Sequence, residues 1–140
     1  MAKLELEYSP DDEWDGGLWA FVESNGYSGK GHAWGIDRQT ITDKFLRALR
    51  IYPIPTESPP LLKAEIFGQC HLRIAVSPFN AVGHLLVRVD LTTDFDFDRE
   101  LQCSATVRFL TEYALLDRFA DELERVLEGR RDVATLEGVK

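Results

Sequence analysis

Apolar and polar residues alternate along most of the chain, and in two segments the apolar residues instead recur every three to four positions. Alternation is typical of half-buried β-strands, and the longer spacing is typical of amphipathic helices. The pattern predicts three strands, a helix, four strands and a last helix, in the order β-β-β-α-β-β-β-β-α. We therefore expect a two-layer α+β fold, with a curved antiparallel meander sheet and both amphipathic helices packed on one face.

A β-hairpin near the N-terminus is the clearest local prediction. Strand-like runs precede and follow Asn25-Gly26, a dipeptide that favours tight hairpin turns because both of its residues accept a positive φ. Small residues occupy alternate positions of the second run, at Gly29, Gly31 and Ala33. One face of this strand therefore has almost no side chains. We expect a helix to lie closely over it, or the strand itself to be strongly twisted or bulged.

Both helices carry residues that mark their ends. Thr40 is the predicted N-cap of the first helix, Asp43 follows at the capping-box position, and Pro53 lies beyond the end of this helix. The second helix is predicted to start near Thr111 and to stop at Gly129. The residues that follow are polar, so we expect a frayed polar tail from about residue 129 onward.

Size and composition indicate a single domain covering residues 1–140. With 140 residues and 44% hydrophobic content, the chain is long enough to bury a core. Its apolar runs are too short to span a membrane and its N-terminus lacks an apolar signal sequence. We therefore expect a cytoplasmic protein with no membrane contact. The two cysteines do not make a disulfide framework, and Cys103, which alternates with apolar residues, is predicted to be buried.

The charge balance narrows the class of partner. A formal net charge of −8 and an isoelectric point near 4.8 disfavour binding to nucleic acid, which requires a basic face. The same values favour electrostatic encounter with a basic protein. An acidic balance also serves solubility alone, and this alternative stays open.

No motif predicts a catalytic, metal or cofactor site. Cys70 and His71 are adjacent, so in a strand their side chains would leave opposite faces, and no spaced cysteine or histidine cluster supplements them. Residues 28–31 are glycine-rich and contain a lysine, but they lack the spacing of a phosphate-binding loop. No serine or cysteine has a nucleophile signature. We therefore expect a protein that is not an enzyme and has no catalytic residues, metal or cofactor.

An acidic segment with two phenylalanines is the first candidate for protein contact. It starts like a calcium-binding loop but lacks the glycine and the glutamate that such a loop needs. It is either an ordinary hairpin loop or a contact loop, in which the rings anchor a basic partner and the carboxylates attract it. The residues concerned are Asp94, Phe95, Asp96, Phe97 and Asp98.

Trp19 and Trp34 are the second candidate. Trp19 shares a predicted strand face with Phe21, and Trp34 shares one with Ile36, opposite the row of small residues. Packing of these rings in the core is the default interpretation. If helices cover the small-residue side instead, the two tryptophans lie on the outer face and form an apolar patch suited to dimerisation or partner binding.

One segment, from Phe21 to Trp34, precedes the predicted helix at residues 41–49 and has the sequence Phe-Val-Glu-Ser-Asn-Gly-Tyr-Ser-Gly-Lys-Gly-His-Ala-Trp. A second segment, Val107-Arg108-Phe109, leads to Tyr113 and the last helix. This arrangement resembles the small bacterial immunity-like proteins that accompany wall-associated polymorphic toxins, the WapI type, over roughly residues 18–128. The resemblance implies the same order of elements and the neutralisation of a toxin domain. It implies no catalytic residue.

We therefore expect a non-enzymatic binding protein that covers the active surface of a basic toxin domain or another protein. The acidic loop and the two tryptophans would form the contact. Two alternatives stay open. The chain could be a homo-oligomeric interaction protein, such as a homodimer, whose outer sheet face pairs with itself. It could also bind a small ligand in a pocket between the sheet and the helices.

Overall fold

The computed structural model describes residues 2–10, 15–66, 69–92 and 99–139, without the side chains of Ile66, Gln69 and Arg99. Within these residues the chain forms strands and two helices. The strands are β1 (Lys3–Pro10), β2 (Asp15–Ser24), β3 (Tyr27–Asp37), β4 (Leu61–Ile66), β5 (Gln69–Pro78), β6 (His84–Thr92), β7 (Ser104–Glu112) and β8 (Ala134–Glu137). The helices are α1 (residues 38–49) and α2 (Tyr113–Leu127).

The α+β class with antiparallel strands is confirmed, and hydrogen bonding divides the strands into two sheets. Sheet 1 has the strand order β3-β2-β1-β8, and sheet 2 has the order β4-β5-β6-β7. The meander breaks after β3 because α1 and the proline-rich connector carry the chain to the other sheet before β4 begins. Strand β1 takes β8 as its second neighbour, so the two ends of the described chain meet in sheet 1.

The row of small residues on β3 faces sheet 2. A β-carbon added at Gly31 would lie 2.9 Å from Leu91 Cδ2, and one added at Gly29 would lie 3.2 Å from Ala105 Cβ. Ala33, the next residue in the row, is fully buried. The predicted close approach of another element is therefore confirmed. The approaching element is the second sheet, whereas we expected either a helix or a local distortion of the strand itself.

Helix α1 begins earlier than predicted. Its N-cap is Asp37 and not Thr40, because the Asp37 carboxylate accepts hydrogen bonds from the backbone N–H of Gln39 at 2.9 Å and from Thr40 Oγ1 at 3.1 Å. Thr40 lies inside the helix and makes no side-chain cap of its own. The predicted capping box is therefore wrong, and the strand β3 passes into the helix without an intervening loop.

The apolar stripe of α1 is buried as predicted, and it consists of Ile41, Phe45, Leu46 and Leu49. The helix is π-helical at Ile41–Leu46, between short α-helical stretches. Just beyond its end, Arg50 Nη2 lies 3.0 Å from Asp121 Oδ1 and 3.3 Å from Glu124 Oε2 of α2. Both ion pairs are exposed, so they contribute little to stability and mainly orient the helix ends.

Helix α2 lies against β8 and β1 of sheet 1 and also contacts β7 and α1. The apolar residues that recur at helical spacing along α2 are buried at Leu116, Phe119, Leu123, Val126 and Leu127, whereas Leu115 is only partly buried. One continuous core therefore lies between the two sheets and the two helices. Neither helix of the described chain has the length and apolar character needed to cross a membrane.

The C-terminal segment departs from the sequence prediction. The expectation of a frayed polar tail is wrong for Ala134–Glu137, which pair with β1 as strand β8. Ala134 and Leu136 are fully buried there. Further along, the backbone N–H of Val139 donates a hydrogen bond to Leu110 O at 2.8 Å. This segment therefore belongs to sheet 1 and also reaches the edge of sheet 2.

The connector after α1 is held by Tyr113, the first residue of α2. The backbone N–H of Ile54, a residue only 3% exposed, donates to Tyr113 Oη at 3.0 Å.

Tyr113→Phe removes the acceptor and leaves a buried donor unsatisfied, so we expect the free energy of unfolding to fall by about 1–2 kcal/mol. Chemical denaturation measures the loss. The control is Tyr27→Phe, at a side chain that is 75% exposed, and it is expected to change the free energy of unfolding by less than about 0.5 kcal/mol. Equal losses of stability in the two variants would contradict the role of Tyr113 in holding the connector.

Candidate binding face

The side of sheet 1 that points away from the core carries aromatic and charged side chains in cross-strand rows. These rows are Glu7–Trp19–His32 and Glu5–Phe21–Lys30. Residues at the intervening positions, such as Leu6 and Ala20, are buried on the opposite side of the same strands, as the period of two requires. We call the residues of the two rows, together with Trp34, the aromatic face.

Trp19 is held in place by its neighbours and stays accessible. Its ring stacks on His32 with the centroids 4.0 Å apart and the planes 22° apart. Lys30 Nζ lies 5.6 Å from the Trp19 ring centroid, within the range of a cation–π contact. Gly17 leaves room for this stack, since a β-carbon there would lie 2.7 Å from His32 Nε2. Even so, 40% of Trp19 is exposed.

A shallow groove of about 230 Å³ lies beside the Trp19 ring. It is lined by Glu5, Glu7, Trp19, Ala20, Phe21 and Lys30. Lys3 Nζ lies 3.2 Å from Glu5 Oε1, whereas Glu7 is an exposed carboxylate at the same groove. Aromatic rings and carboxylates in one groove suit a long cationic side chain, because its apolar stem packs on the rings while its charge meets the acid groups.

Trp34 is exposed as well, but the strand around it is irregular. The pairing of β2 with β3 shifts register there, and Gly35, with a φ of +72°, lies in the resulting bulge. The prediction that Trp34 and Ile36 share a face is wrong, because Ile36 packs against the core while 46% of Trp34 is exposed. Both tryptophans therefore lie on the outer face of sheet 1 and not in the core, which is the second of the two placements that the sequence left open.

The acidic loop and Cys103 are the remaining features with a prediction from the sequence. Asp94, Phe95, Asp96, Phe97 and Asp98 lie outside the described residues. Cys103 is exposed, so the prediction of a buried thiol is wrong. Residues Arg99–Leu101 form a 3-10 turn and β7 begins only at Ser104. Cys103 therefore precedes the strand whose alternation would have turned it inward.

A metal centre or a second binding depression would have to lie elsewhere in the described chain. In residues 2–10, 15–66, 69–92 and 99–139, no three His, Cys, Asp or Glu residues are grouped in a way that could hold a metal ion. A wider depression of about 640 Å³ lies where the C-terminal segment crosses between the sheets, and Asn25, Phe79, Arg108 and Val139 are among its lining residues. Its described lining contains no histidine or cysteine.

Lys30 and His32 belong to the aromatic face, although neither was predicted from the sequence to be a contact residue. The hairpin signal could have found them. Ser24 and Tyr27 are opposite each other on the two sides of the turn. Counting away from the turn along each strand then places Phe21 opposite Lys30 and Trp19 opposite His32. Glu5 and Glu7 carry no such signal, because β1 ends at Pro10 and β2 begins only at Asp15, and the dipeptides that mark a two-residue hairpin turn do not join them.

Comparison with known proteins gives no relative of this chain. No family model matches it, no curated protein matches it, and no solved structure matches its fold. The resemblance to immunity-like proteins therefore stays a prediction, and the geometry of the aromatic face has to be interpreted on its own chemistry.

Proposed function

We propose that this chain is a non-enzymatic binding protein that acts through the aromatic face. Its partner would be a basic protein, such as a toxin domain whose active surface it covers. The observation that supports this proposal most directly is the exposure of two tryptophans, 40% at Trp19 and 46% at Trp34, on a sheet face turned away from the core.

Exposed tryptophan is a strong indicator of contact because it is the residue type most enriched among the side chains that dominate interface energetics. The stack with His32 limits the motion of the Trp19 ring, so less side-chain entropy is lost when a partner covers it. Glu5 and Glu7 would meet basic side chains of the partner, and a net charge of −8 would speed their encounter.

Affinity purification from the native host, followed by co-expression with the toxin-like domain that it recovers, tests the proposal. We expect wild-type protein to restore growth of the cells and to bind the purified domain in a calorimetric titration. Trp19→Ala is expected to weaken binding at least about tenfold, because a central ring is lost. Tyr27→Ala is the matched control, since Tyr27 is an aromatic residue on the same sheet that is 75% exposed and outside the groove.

Two outcomes would overturn the proposal. One is wild-type protein that neither protects the cells nor binds the domain. The other is binding that Trp19→Ala and Tyr27→Ala leave equally strong, because the aromatic face would then not be the contact. Circular dichroism of both variants shows whether they keep the native fold, so that a loss of binding can be assigned to the interface.

A homodimer through the same face is the second candidate, and its mixed charge favours it. Lys3 and Lys30 lie among Glu5, Glu7 and Glu23 on one side of sheet 1, so two copies related by a two-fold axis can pair opposite charges. Sedimentation equilibrium distinguishes the candidates. A dimer of the wild-type chain that Trp19→Ala converts to monomer supports self-association, and a wild-type monomer excludes it.

A further inference from the structure

The outward side of sheet 2 carries three arginines that the proposed function does not use. Arg88 on β6 is directly opposite Arg108 on β7, and Arg73 on β5 is directly opposite Asp90 on β6. All three arginines are exposed. Directly opposite residues of an antiparallel pair project from the same face with their Cβ atoms about 5 Å apart. The three guanidinium groups therefore share one surface, which we call the arginine cluster.

Asp90 stands at the centre of this cluster and orients one of its members. Arg88 Nε lies 3.1 Å from Asp90 Oδ2, and Thr106 Oγ1 donates a hydrogen bond to Asp90 Oδ1 at 2.6 Å. The Asp90 side chain is only 24% exposed. A half-buried carboxylate fixed from two strands thus holds the Arg88 side chain along the sheet surface.

The charges of the cluster are not balanced. Within the described residues, neither Arg73 nor Arg108 has an ion-paired or hydrogen-bonded side chain. The nearby Lys63 is paired with Glu65 and does not change this balance. Asp90 thus leaves two positive charges uncompensated among the arginines. Like charges directly opposite each other destabilise a sheet, and this pair lies in a chain whose net charge is −8.

We propose that the arginine cluster is a binding site for a phosphoryl group, held as a phosphate monoester between Arg88 and Arg108 with Arg73 at its side. A phosphate monoester carries a charge of about −1.5 to −2 at pH 7, which matches the two uncompensated charges. The planar guanidinium group donates paired hydrogen bonds to phosphate oxygens, which a lysine ammonium does not. The site lies on the opposite sheet from the aromatic face and does not depend on the proposed function.

Titration with glycerol phosphate at constant ionic strength tests the site. We expect saturable changes in the NMR signals of the Nε–Hε groups of Arg88 and Arg108, with sodium chloride alone producing none. Arg108→Gln is expected to weaken binding at least about tenfold, since it removes a charge-assisted contact. Arg108→Lys is expected to weaken it less, because the charge is kept and only the paired geometry is lost. Arg125→Gln, at an exposed arginine on α2, is the control and should leave affinity unchanged.

Two further measurements decide the interpretation. Without phosphate, Arg108→Gln should melt at the same temperature as the wild type or higher, because a repulsive pair is removed. Vesicles of phosphatidylcholine with and without phosphatidic acid show whether the phosphoryl group belongs to a lipid or a soluble ester. Loss of binding to either probe in Arg108→Gln supports the site. Absence of binding to both probes, or equal affinity in Arg108→Gln and Arg125→Gln, would overturn it.

Discussion

Leu136→Ala is expected to lower the free energy of unfolding by about 2–5 kcal/mol, the range found when a fully buried leucine is truncated. Leu136 is 0% exposed and lies opposite Leu4 in the pairing of β8 with β1. Helix α2 packs against β8, so the cavity would open between a sheet and a helix. Because domains of this size are stable by only about 5–15 kcal/mol, the substitution would remove a large part of the total.

The neighbouring Thr135 provides the matched control for this prediction. Its side chain lies on the other face of β8 and is partly exposed, and its backbone N–H donates to Glu122 Oε1 at 2.9 Å, a bond that alanine keeps. Thr135→Ala should therefore change stability by less than about 0.5–1 kcal/mol. Chemical denaturation of both variants gives the comparison. Similar small losses in the two would mean that β8 does not complete the core.

Gly31→Val is expected to lower the free energy of unfolding by about 1–3 kcal/mol through overpacking between the two sheets. The first added carbon would already lie 2.9 Å from Leu91 Cδ2 and 3.4 Å from Leu91 Cβ. An alanine could be accommodated by a turn of the Leu91 side chain, but the two further methyl groups of valine extend toward strand β6. The sheets would then have to separate locally.

Two variants make this second prediction specific. Ser28→Val adds the same side chain to an exposed position of β3, where it should change stability by no more than about 0.5 kcal/mol. Leu91→Ala in the Gly31→Val background should restore part of the loss, so the double-mutant cycle should show a coupling of about 0.5–3 kcal/mol between the two positions. Additive effects, or equal losses at the two valine positions, would contradict the close approach of the sheets.

Local signals in the sequence predicted much of the fold. The Asn25-Gly26 turn joins β2 to β3 as expected, and both residues have positive φ, 53° and 86°. The prediction that both helices are amphipathic was correct, because the apolar stripe of a helix depends only on the spacing of apolar residues within one segment. The alternation of β4 to β7 was sufficient to predict a meander, since strands that follow one another in sequence usually pair as neighbours.

The failures share a different cause, since each depends on residues distant in the chain or on a change of pattern at an element's end. Strand β8 is four residues long and pairs with β1, so only the folded core distinguishes it from a polar tail. Asp37 caps α1 although Thr40 fits the same sequence rule. The alternation that suggested a buried Cys103 continues into β7, yet the strand itself starts one residue later.

The aromatic face was predicted in part. Trp19 and Trp34 were identified, but their placement in the core or outside it depended on what covers the small-residue side of β3, and sheet 2 does so through Leu91 and Ala105. The bulge at Gly35 then separated Trp34 from Ile36. A single extra residue in a strand turns every later side chain to the opposite face of the sheet. Periodicity alone therefore could not predict on which face Ile36 lies.

The pairing of β1 with β8 has a consequence for how this chain is made. Leu4 lies in the first strand of the described chain, and its partner Leu136 lies in the last. Because β1 is synthesised before β8, the edge of β1 that pairs with β8 stays open until β8 has emerged from the ribosome, and contacts so distant in sequence form slowly. Until then, this open strand edge is a place where the nascent chain can aggregate and where a chaperone would protect it.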